Sequence, residues 1–469
     1  MSAPAALMPL AGPKPATWPD EMRALVALAA PLVGGNLLQM AIYSVDVLFV
    51  AHLGQVAFAS ATLGVYLYSL FMWALSGMVG AAAALIAAEL GRRRHAVREV
   101  RRSFRMAMWL CVMAGIPAML LLWHGEWLFT LARQDPRVAA EGGRFLRVLF
   151  VAMVPALVST VMRQTVAALG KPGYAMLVNG VALGLSLLAN WALVFGHLGL
   201  PALGLIGSAL ASVITSIAIM IAYVAILLRD RRIRRYRLLG RWWRSDWERL
   251  GELVRLGVPI ALTLIFEAGL FGGAGFLMGL IGVTEVAAHA VALNLASFTF
   301  QVAMGVGQAA TIRVGMAFGA QDREWVARAG WTALVLGTGF MGLTALVMAS
   351  VPRPFIGIYL DLADPANARA IALAVQFLIL AAAFQLFDGA QAVAAGILRG
   401  LQDTRVPMLF ALASYWIVGF GVAVWLGFGA GWNGVGIWIG LLAGLVVASG
   451  ALVSRWTMRG RLNLMARTI

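Results

Sequence analysis

The chain has 469 residues, of which 62% are hydrophobic and only 12% are charged. Soluble globular domains carry about 25% charged residues, so this composition excludes an ordinary soluble protein. The apolar runs are as long as bilayer-crossing helices, whereas a transmembrane β-barrel would show short alternating segments. The sequence therefore predicts an all-α integral membrane protein.

The hydropathy pattern predicts twelve transmembrane helices. In chain order they cover residues 24–51, 57–89, 104–123, 144–169, 173–196, 202–228, 252–281, 284–318, 325–350, 368–398, 405–428 and 433–456. Several exceed the ~20 residues that a bilayer requires, and these helices must tilt, bend or project from the membrane.

The basic residues are distributed unequally over the connectors between the spans. With the N-terminus in the cytoplasm, 30 of the 36 Lys and Arg residues lie on the inner side. This asymmetry follows the positive-inside rule and predicts that both termini lie in the cytoplasm. It also accounts for most of the net charge of +16, so we expect no nucleic-acid partner. The basic stretch 229–251 is interpreted as a topology-setting linker that faces lipid headgroups.

The two ends of the chain are predicted to be tails rather than spans. Residues 1–23 are rich in Pro and Ala but lack the basic segment and apolar core of a secretion signal. We therefore expect a disordered cytoplasmic tail at 1–23 and a second cytoplasmic tail at 457–469. The single cysteine, Cys111, excludes an intrachain disulfide.

The two halves of the chain repeat each other. Four pairs of residues are each separated by 228 positions: Pro31 and Pro259, Gly54 and Gly282, Gly77 and Gly305, Gly91 and Gly319. The repeat predicts two six-helix bundles, an N-lobe at 24–228 and a C-lobe at 252–456. An even number of spans per half makes the repeat parallel, so its pseudo-two-fold axis lies along the membrane normal. Such paired bundles can give alternating access.

Three acidic residues are predicted to lie deep in the membrane. The stretch 259–282 carries one charge, Glu267, which lies ~18 Å along the helix from Arg255. Asp388 lies at nearly the same depth in the same half, and Asp46 lies in the first span of the other half. Burying an ionisable group in hydrocarbon is costly, so each of these acids is by default read as functional.

The chemistry of these acids leaves two coupling ions open. A carboxyl group in a low-dielectric site can exchange protons near neutral pH. Alternatively, Glu267 and Asp388 could hold Na⁺ together with carbonyl and amide oxygens, the ligands that suit hard cations. We expect no other cofactor. The repeat does not duplicate these acids, since Gln39 and Ala274 occupy the equivalent positions of Glu267 and Asp46.

Polar residues that could surround the acids are found in both halves. Ser186 and Asn190 lie four residues apart on one helix face and, with Ser212, are placed to hydrogen-bond Asp46. In the C-lobe the candidates are Gln385, Asn294 and His289. Helix packing or interhelical hydrogen bonding is the alternative role for each of these residues.

Several motifs resemble the multidrug and toxic compound extrusion (MATE) transporters, and especially their bacterial NorM-like branch. They are VDVLFVAHLG, PIALTLIFEAGLFG, VAAHAVALN with RVGMAFGAQD, and FQLFDGAQAVAAGILRGLQDTRVPM. The resemblance covers residues 24–456. It implies that Glu267 and Asp388 match the C-lobe cation-site acids of the family, and that Asp46 matches the N-lobe acid. Ser186, Asn190 and Ser212 fall where the N-lobe polar shell lies.

Two positions depart from the family pattern. Phe384 stands where NorM-like members often have Tyr in the cation site, and Ser186 replaces a frequent Asn. Phe384 keeps a ring face toward a cation but lacks the hydroxyl. These departures leave the choice between Na⁺ and H⁺ open.

The resemblance implies a non-enzymatic antiporter of the inner membrane that exports hydrophobic, mostly cationic drugs or dyes in exchange for Na⁺ or H⁺. We expect it to act as a monomer. One alternative is a lipid-linked precursor flippase, which would need a cationic cavity, whereas the deep charges here are acidic. A second alternative is an integral-membrane lipid-modifying enzyme. The sequence offers no metal-ligand spacing such as HxxxH for such an enzyme. A pore-type channel would need a selectivity-filter segment, and none is recognisable.

Overall fold

The computed structural model describes Pro15, residues 17–92 and residues 96–466 of the chain. These residues form helices and connecting turns, and none of them lies in a β-strand. The helices are α1 Trp18–Ala51, α2 Gln55–Arg92, α3 Ala96–Trp123, α4 Gly125–Leu131, α5 Pro136–Leu149, α6 Met153–Ala168, α7 Gly173–Phe195, α8 Gly204–Arg229, α9 Trp247–Ile281, α10 Val283–Gly319, α11 Arg323–Ser350, α12 Pro352–Ile356, α13 Ala368–Gly400, α14 Arg405–Leu412, α15 Gly421–Val424 and α16 Asn433–Thr457.

Twelve helical segments of the described chain are long and apolar enough to cross a membrane. They correspond in order to the twelve predicted spans, with α5 and α6 together forming the fourth span, Pro136–Ala168. The eleventh, Arg405–Gly429, contains α14 and α15, with wider π-helical turns between them at Ala413–Phe420 and after α15 at Trp425–Gly429. The all-α, twelve-span prediction is therefore confirmed.

Several helix ends differ from the predicted ones. The first helix begins at Trp18 rather than at residue 24, so the predicted tail 1–23 is too long; its residues 1–14 lie outside the described part of the chain. Similarly, α9 begins at Trp247, inside the predicted linker 229–251. Hydropathy misses these first turns because they contain charged residues, which are neutralised by partners far away in sequence.

The described residues form two compact units. Unit 1 is Gly34–Ala261, and unit 2 combines the described residues up to Val33 with those from Leu262 onward. Helices α1 and α9 therefore each contribute to both units. The predicted lobes, 24–228 and 252–456, follow chain order and assign each of these helices to one lobe only.

Glycine allows close contact between α10 and α13 in unit 2. A Cβ atom on Gly396 would lie 2.4 Å from the carbonyl oxygen of Gly307, so a side chain there would collide with backbone. The Thr311 hydroxyl donates to the Gly396 carbonyl across the same contact, at 2.9 Å. Small residues and hydroxyl hydrogen bonds are the usual means by which membrane helices approach closely. This contact fixes the position of α13, which carries Asp388.

Candidate functional site

The carboxylate of Asp46 in unit 1 is surrounded by hydrogen-bond donors. The Ser212 hydroxyl donates to Oδ2 at 2.6 Å, and the Asn190 amide donates to Oδ1 at 2.7 Å. The Ser186 hydroxyl makes a longer contact to Oδ1 at 3.4 Å. The structure thus brings together the four residues that the sequence nominated in the N-lobe. Their role in ion coupling remains a prediction.

Helices α1 and α7 run side by side, and this packing brings Asp46 close to Asn190. The Asn179 amide donates to the carbonyl of Gly35 at 2.7 Å, and both residues lie 11 positions before Asn190 and Asp46, respectively. Eleven residues are about three helical turns, so both pairs lie on one helix–helix seam ~16 Å apart. The absence of a side chain at Gly35 permits this approach, since a Cβ there would lie 3.2 Å from Ala175.

The acids of unit 2 lie in a different environment. Glu267 and Asp388 are each 4% exposed and interact electrostatically with one another. Within the described residues, Oδ1 of Asp388 is buried without a hydrogen-bond partner. A buried carboxylate pair of this kind is stabilised by binding a proton or a cation, because two desolvated like charges repel.

Two further polar residues, Tyr415 and Arg399, interact electrostatically with these acids, and sequence reasoning missed their part in the site. The Tyr415 side chain interacts electrostatically with both acids and adjoins Gln391, while Arg399 attracts Glu267 without forming an ion pair among the described residues. The Tyr415 hydroxyl and Oε1 of Gln391 are buried without strict hydrogen-bond partners. The spacing of Gln391, three residues after Asp388 on one helix face, is the signal that could have found it.

The local backbone explains how the Tyr415 side chain is directed toward Glu267 and Asp388. It lies in the π-helical stretch Ala413–Phe420, and widened turns of this kind occur often at functional sites. On α9, Gly269 and Gly273 open a groove for the same stretch, since Cβ atoms there would lie 2.7 Å from Trp416 and 2.9 Å from Phe420. The glycines of α9 therefore bring the eleventh span against the helix that carries Glu267.

Phe384 and His289 belong to an aromatic cluster in unit 2. The ring of Phe384 packs edge-on against Phe271 at 5.8 Å and against Trp438 at 5.8 Å. The His289 ring contacts Trp438 at 5.4 Å, and both of its nitrogens are buried without hydrogen-bond partners in the described chain. The packing role that we left open for His289 is the one supported by these contacts.

The other two members of the predicted C-lobe shell have partners other than the acids. The carbonyl of Gln385 accepts from Thr299 at 2.7 Å and from Thr344 at 3.3 Å. Asn294 is exposed and donates to the carbonyl of Ala290 in its own helix at 2.8 Å. The hydrogen bonds found for these two residues therefore do not involve Glu267 or Asp388. Their part in the shell around the acids stays a prediction.

Further buried charges anchor the first turns of α1 and α9. In unit 2, Arg313 donates to both carboxylate oxygens of Glu21, at 2.8 and 2.6 Å, and Trp325 donates to the same carboxylate at 3.1 Å. In unit 1, Arg249 donates to Glu89 at 2.7 Å. Glu21 and Arg249 are 228 residues apart, so equivalent positions of the repeat carry opposite charges. These pairs explain why both helices begin earlier than hydropathy predicts.

Metal-binding potential beyond the acid pair is limited. Within 17–92 and 96–466, no three or more His, Cys, Asp or Glu side chains converge as a metal site would require. The donors near Glu267 and Asp388 are oxygens of a carboxylate, a phenol and an amide, a set that suits a hard monovalent cation or a proton better than a transition metal.

Comparison with known proteins identifies the family. A family model described as MatE matches the chain twice, at residues 31–192 and 259–425. The two matches begin 228 residues apart, the offset found between the halves, and so confirm the internal repeat.

Named relatives extend over nearly the whole chain. The "Probable multidrug resistance protein NorM" of Mesorhizobium japonicum is 47% identical over 445 residues, or 95% of each chain. The protein of the same name from Brucella suis is 46% identical, covering 94% of this chain and 93% of the relative. Neither name describes an enzyme.

The crystal structure of the eukaryotic MATE transporter AtDTX14 matches with a TM-score of 0.85 at 21% identity, over 96% of this chain and 98% of that one. A likeness at this level of identity shows a shared fold. Together with the family model and the NorM relatives, it shows that this chain, a multi-pass protein of the inner membrane, belongs to the MatE family, as the resemblance in its sequence predicted.

Proposed function

We propose that this protein is a secondary active multidrug efflux antiporter. It exports hydrophobic, mostly cationic compounds in exchange for Na⁺ or H⁺ by alternating access. The names of its relatives as multidrug resistance proteins support the efflux activity. The buried acids support ion coupling, because an exchanger needs groups that bind either the ion or the substrate.

The observation that carries the proposal is the Glu267–Asp388 pair. Both carboxyls are buried, they interact with each other, and one oxygen of Asp388 has no partner. Such a site is under-satisfied when empty and is stabilised by a small cation. If the ion is Na⁺, we expect Glu267 and Asp388 to hold it with the Tyr415 hydroxyl and the Gln391 carbonyl; if it is H⁺, the pair itself takes the proton.

Asp46 supplies a second site, whose carboxylate is stabilised by its own set of hydrogen-bond donors. Its three donors stabilise the ionised carboxylate, so it can attract a cationic substrate or exchange a proton when the donors rearrange. Binding of the ion from outside favours the state that releases substrate, and loss of the ion on the cytoplasmic side frees the acids to bind substrate again. This exchange requires that ion and substrate bind preferentially to different conformational states.

Orientation and assembly complete the proposal. Both termini lie in the cytoplasm, as the positive-inside rule indicates, and the transporter acts as a monomer with two lobes of six spans. The substrates are drugs or dyes, and the lipid bilayer is the only other partner that the function requires.

The test is efflux of a fluorescent organic cation in inverted membrane vesicles. An imposed Na⁺ gradient and an imposed pH gradient are applied separately, to wild type and to Asp46→Asn, Glu267→Gln and Asp388→Asn. We expect one gradient to drive transport in wild type and every acid variant to lose most of it. Glu141→Gln, which changes an exposed acid, is the matched control. Full gradient-driven efflux in all three variants would refute the coupling role.

A further inference from the structure

A basic cavity of about 520 Å³ lies in unit 1, between the start of α3 and the segment that precedes α9. Six arginines face it, against one acidic residue. The lining side chains are Arg98, Arg101, Arg102, Arg105, Arg241, Arg244, Ser245 and Asp246. The cavity lies at the ends of the spans and shares no residue with the two acid sites described above.

The arginines of α3 line the cavity because of their helical spacing. Arg98, Arg101, Arg102 and Arg105 follow one another at positions i, i+3, i+4 and i+7, which places them on a single helix face. Four like charges on one face repel each other, so this arrangement is stabilised when an anion lies between them.

The most buried of these arginines forms no ion pair with any described residue, although Asp246 attracts it. Arg105 is only 8% exposed, and its Nε–H has no hydrogen-bond partner. No hydrogen bond or ion pair to Arg105 occurs in the part of the chain that the structure describes. A buried guanidinium is normally paired, because desolvation of an unpaired charge is costly. Because Arg105 lines the cavity, its unpaired guanidinium points to an anionic ligand there.

The single acid of the cavity is already engaged. Asp246 accepts from Arg102 at 2.5 and 3.2 Å, and Arg102 also donates to Glu99 at 2.8 Å. The hydrogen bond from Arg102 holds the pKa of Asp246 below its usual value, so Asp246 is ionised at neutral pH. Asp246 and Glu99 thus neutralise Arg102, and most of the positive charge of the cavity stays available.

Tryptophans next to the cavity point to the membrane surface. Trp242, Trp243 and Trp247 are exposed, and Trp109 donates to the Trp242 carbonyl at 2.9 Å. Trp109 is one helical turn, ~6 Å, beyond Arg105 toward the membrane centre. Tryptophan is enriched at the level of the lipid headgroups. The arginines therefore lie at the depth of lipid phosphates.

We propose that this cavity is a binding site for a phosphate ester, supplied by the headgroup of an anionic lipid of the inner leaflet. Arg105 contacts the phosphate, and Arg101 and Arg244 close around it from the two chain segments. Assignment to the inner leaflet rests on the orientation proposed above, whereas the anion site itself rests on the geometry alone.

Native mass spectrometry of the full-length protein, released from detergent after incubation with lipid, tests the site. The probes are phosphatidylglycerol, phosphatidylcholine and, separately, inorganic tripolyphosphate. Arg105→Gln and Arg244→Ala are compared with Arg231→Ala, a control that removes an exposed arginine from the same basic connector but outside the cavity. Thermal unfolding of each variant shows whether it is folded. Arg244 is exposed, so its replacement should leave folding intact.

We expect retention of phosphatidylglycerol over phosphatidylcholine to fall about fivefold in each cavity variant, since one basic side chain near an anionic surface contributes about 1 kcal/mol. The Arg231→Ala control should retain the lipid. Competition by tripolyphosphate would support the anion site but assign it to a soluble phosphate compound. Equal loss in the control, or no preference for anionic lipid in wild type, would overturn the proposal.

Discussion

Asp46 in unit 1 accepts hydrogen bonds from three side chains, whereas Asp388 in unit 2 has a buried carboxylate oxygen with no partner. The first carboxylate is stabilised by dipoles that the fold has already oriented. The second faces another acid, Glu267, and gains stability only from a proton or cation. Duplicated helices can therefore carry chemically different sites, because a few side chains decide how each charge is satisfied.

The anchors of α1 and α9 show the same contrast. Glu21 pairs with Arg313 in unit 2, and its repeat equivalent Arg249 pairs with Glu89 in unit 1. Because the signs are opposite, neither helix start could use the other's partners without bringing like charges together. Opposite polarity thus specifies which unit each helix start joins, a use of charge for specificity.

The largest effect is expected from the acid pair of unit 2. Glu267→Gln and Asp388→Asn should each lower gradient-driven efflux at least ~10-fold, a loss of about 1.4 kcal/mol or more of coupling. The melting temperature in detergent should stay the same or rise, because each change removes one of two repelling buried carboxyls. Vesicle transport and thermal unfolding measured on one preparation check this. A large drop in melting temperature would mean that the pair is structural.

The second effect concerns the anchors. Arg249→Gln should lower the free energy of unfolding by ~3–5 kcal/mol, because it leaves the buried carboxylate of Glu89 without its strongest partner. Glu141→Gln breaks an exposed pair with Arg144 and should cost less than ~1 kcal/mol. Denaturant or thermal unfolding compares the two. Adding Glu89→Gln to Arg249→Gln should recover part of the loss, because it removes the buried charge that was left without its partner. Failure to recover any of it would indicate that packing, not charge, anchors α9.

A smaller effect should distinguish the donors of Asp46. Ser212→Ala removes the 2.6 Å hydrogen bond and should cost ~1.5–3 kcal/mol of stability, the range for hydrogen bonds to charged groups. Ser186→Ala removes the 3.4 Å contact and should cost far less. Both variants are measured for melting temperature and for efflux. Equal effects at the two serines would contradict the geometry of the site.

The smallest effect on stability is expected at Tyr415. Its hydroxyl is buried without a strict partner, so Tyr415→Phe should leave the melting temperature nearly unchanged. If the hydroxyl serves the ion, the cation concentration that half-saturates transport should rise several-fold. Tyr223→Phe, which removes another buried tyrosine hydroxyl without a partner but in unit 1, is the matched control. An unchanged ion dependence in Tyr415→Phe would mean that the two acids bind the ion without the Tyr415 hydroxyl.

Sequence reasoning located the acids of both halves and the donors around Asp46. A charge within an apolar run and a four-residue spacing can both be read directly from the sequence. It nominated Gln385 and Asn294 for the second site, whereas the electrostatic interactions found with the acids there are those of Tyr415 and Arg399. Depth along a helix can be counted from its end. Which neighbours a side chain meets around that helix depends on how the helices pack, and counting residues along the chain does not reveal this.

The sequence by itself determined the class of protein, its twelve spans, the repeat and its family, because hydrophobic length and repeated motifs are local properties of the chain. Tertiary structure alone decided that the first turns of α1 and α9 join units other than those of their own halves. It also decided that one acid is fully hydrogen-bonded while another is not. The reason is physical: the energy of a buried charge depends on the partners that folding brings within about 3 Å, and those partners come from positions more than a hundred residues away.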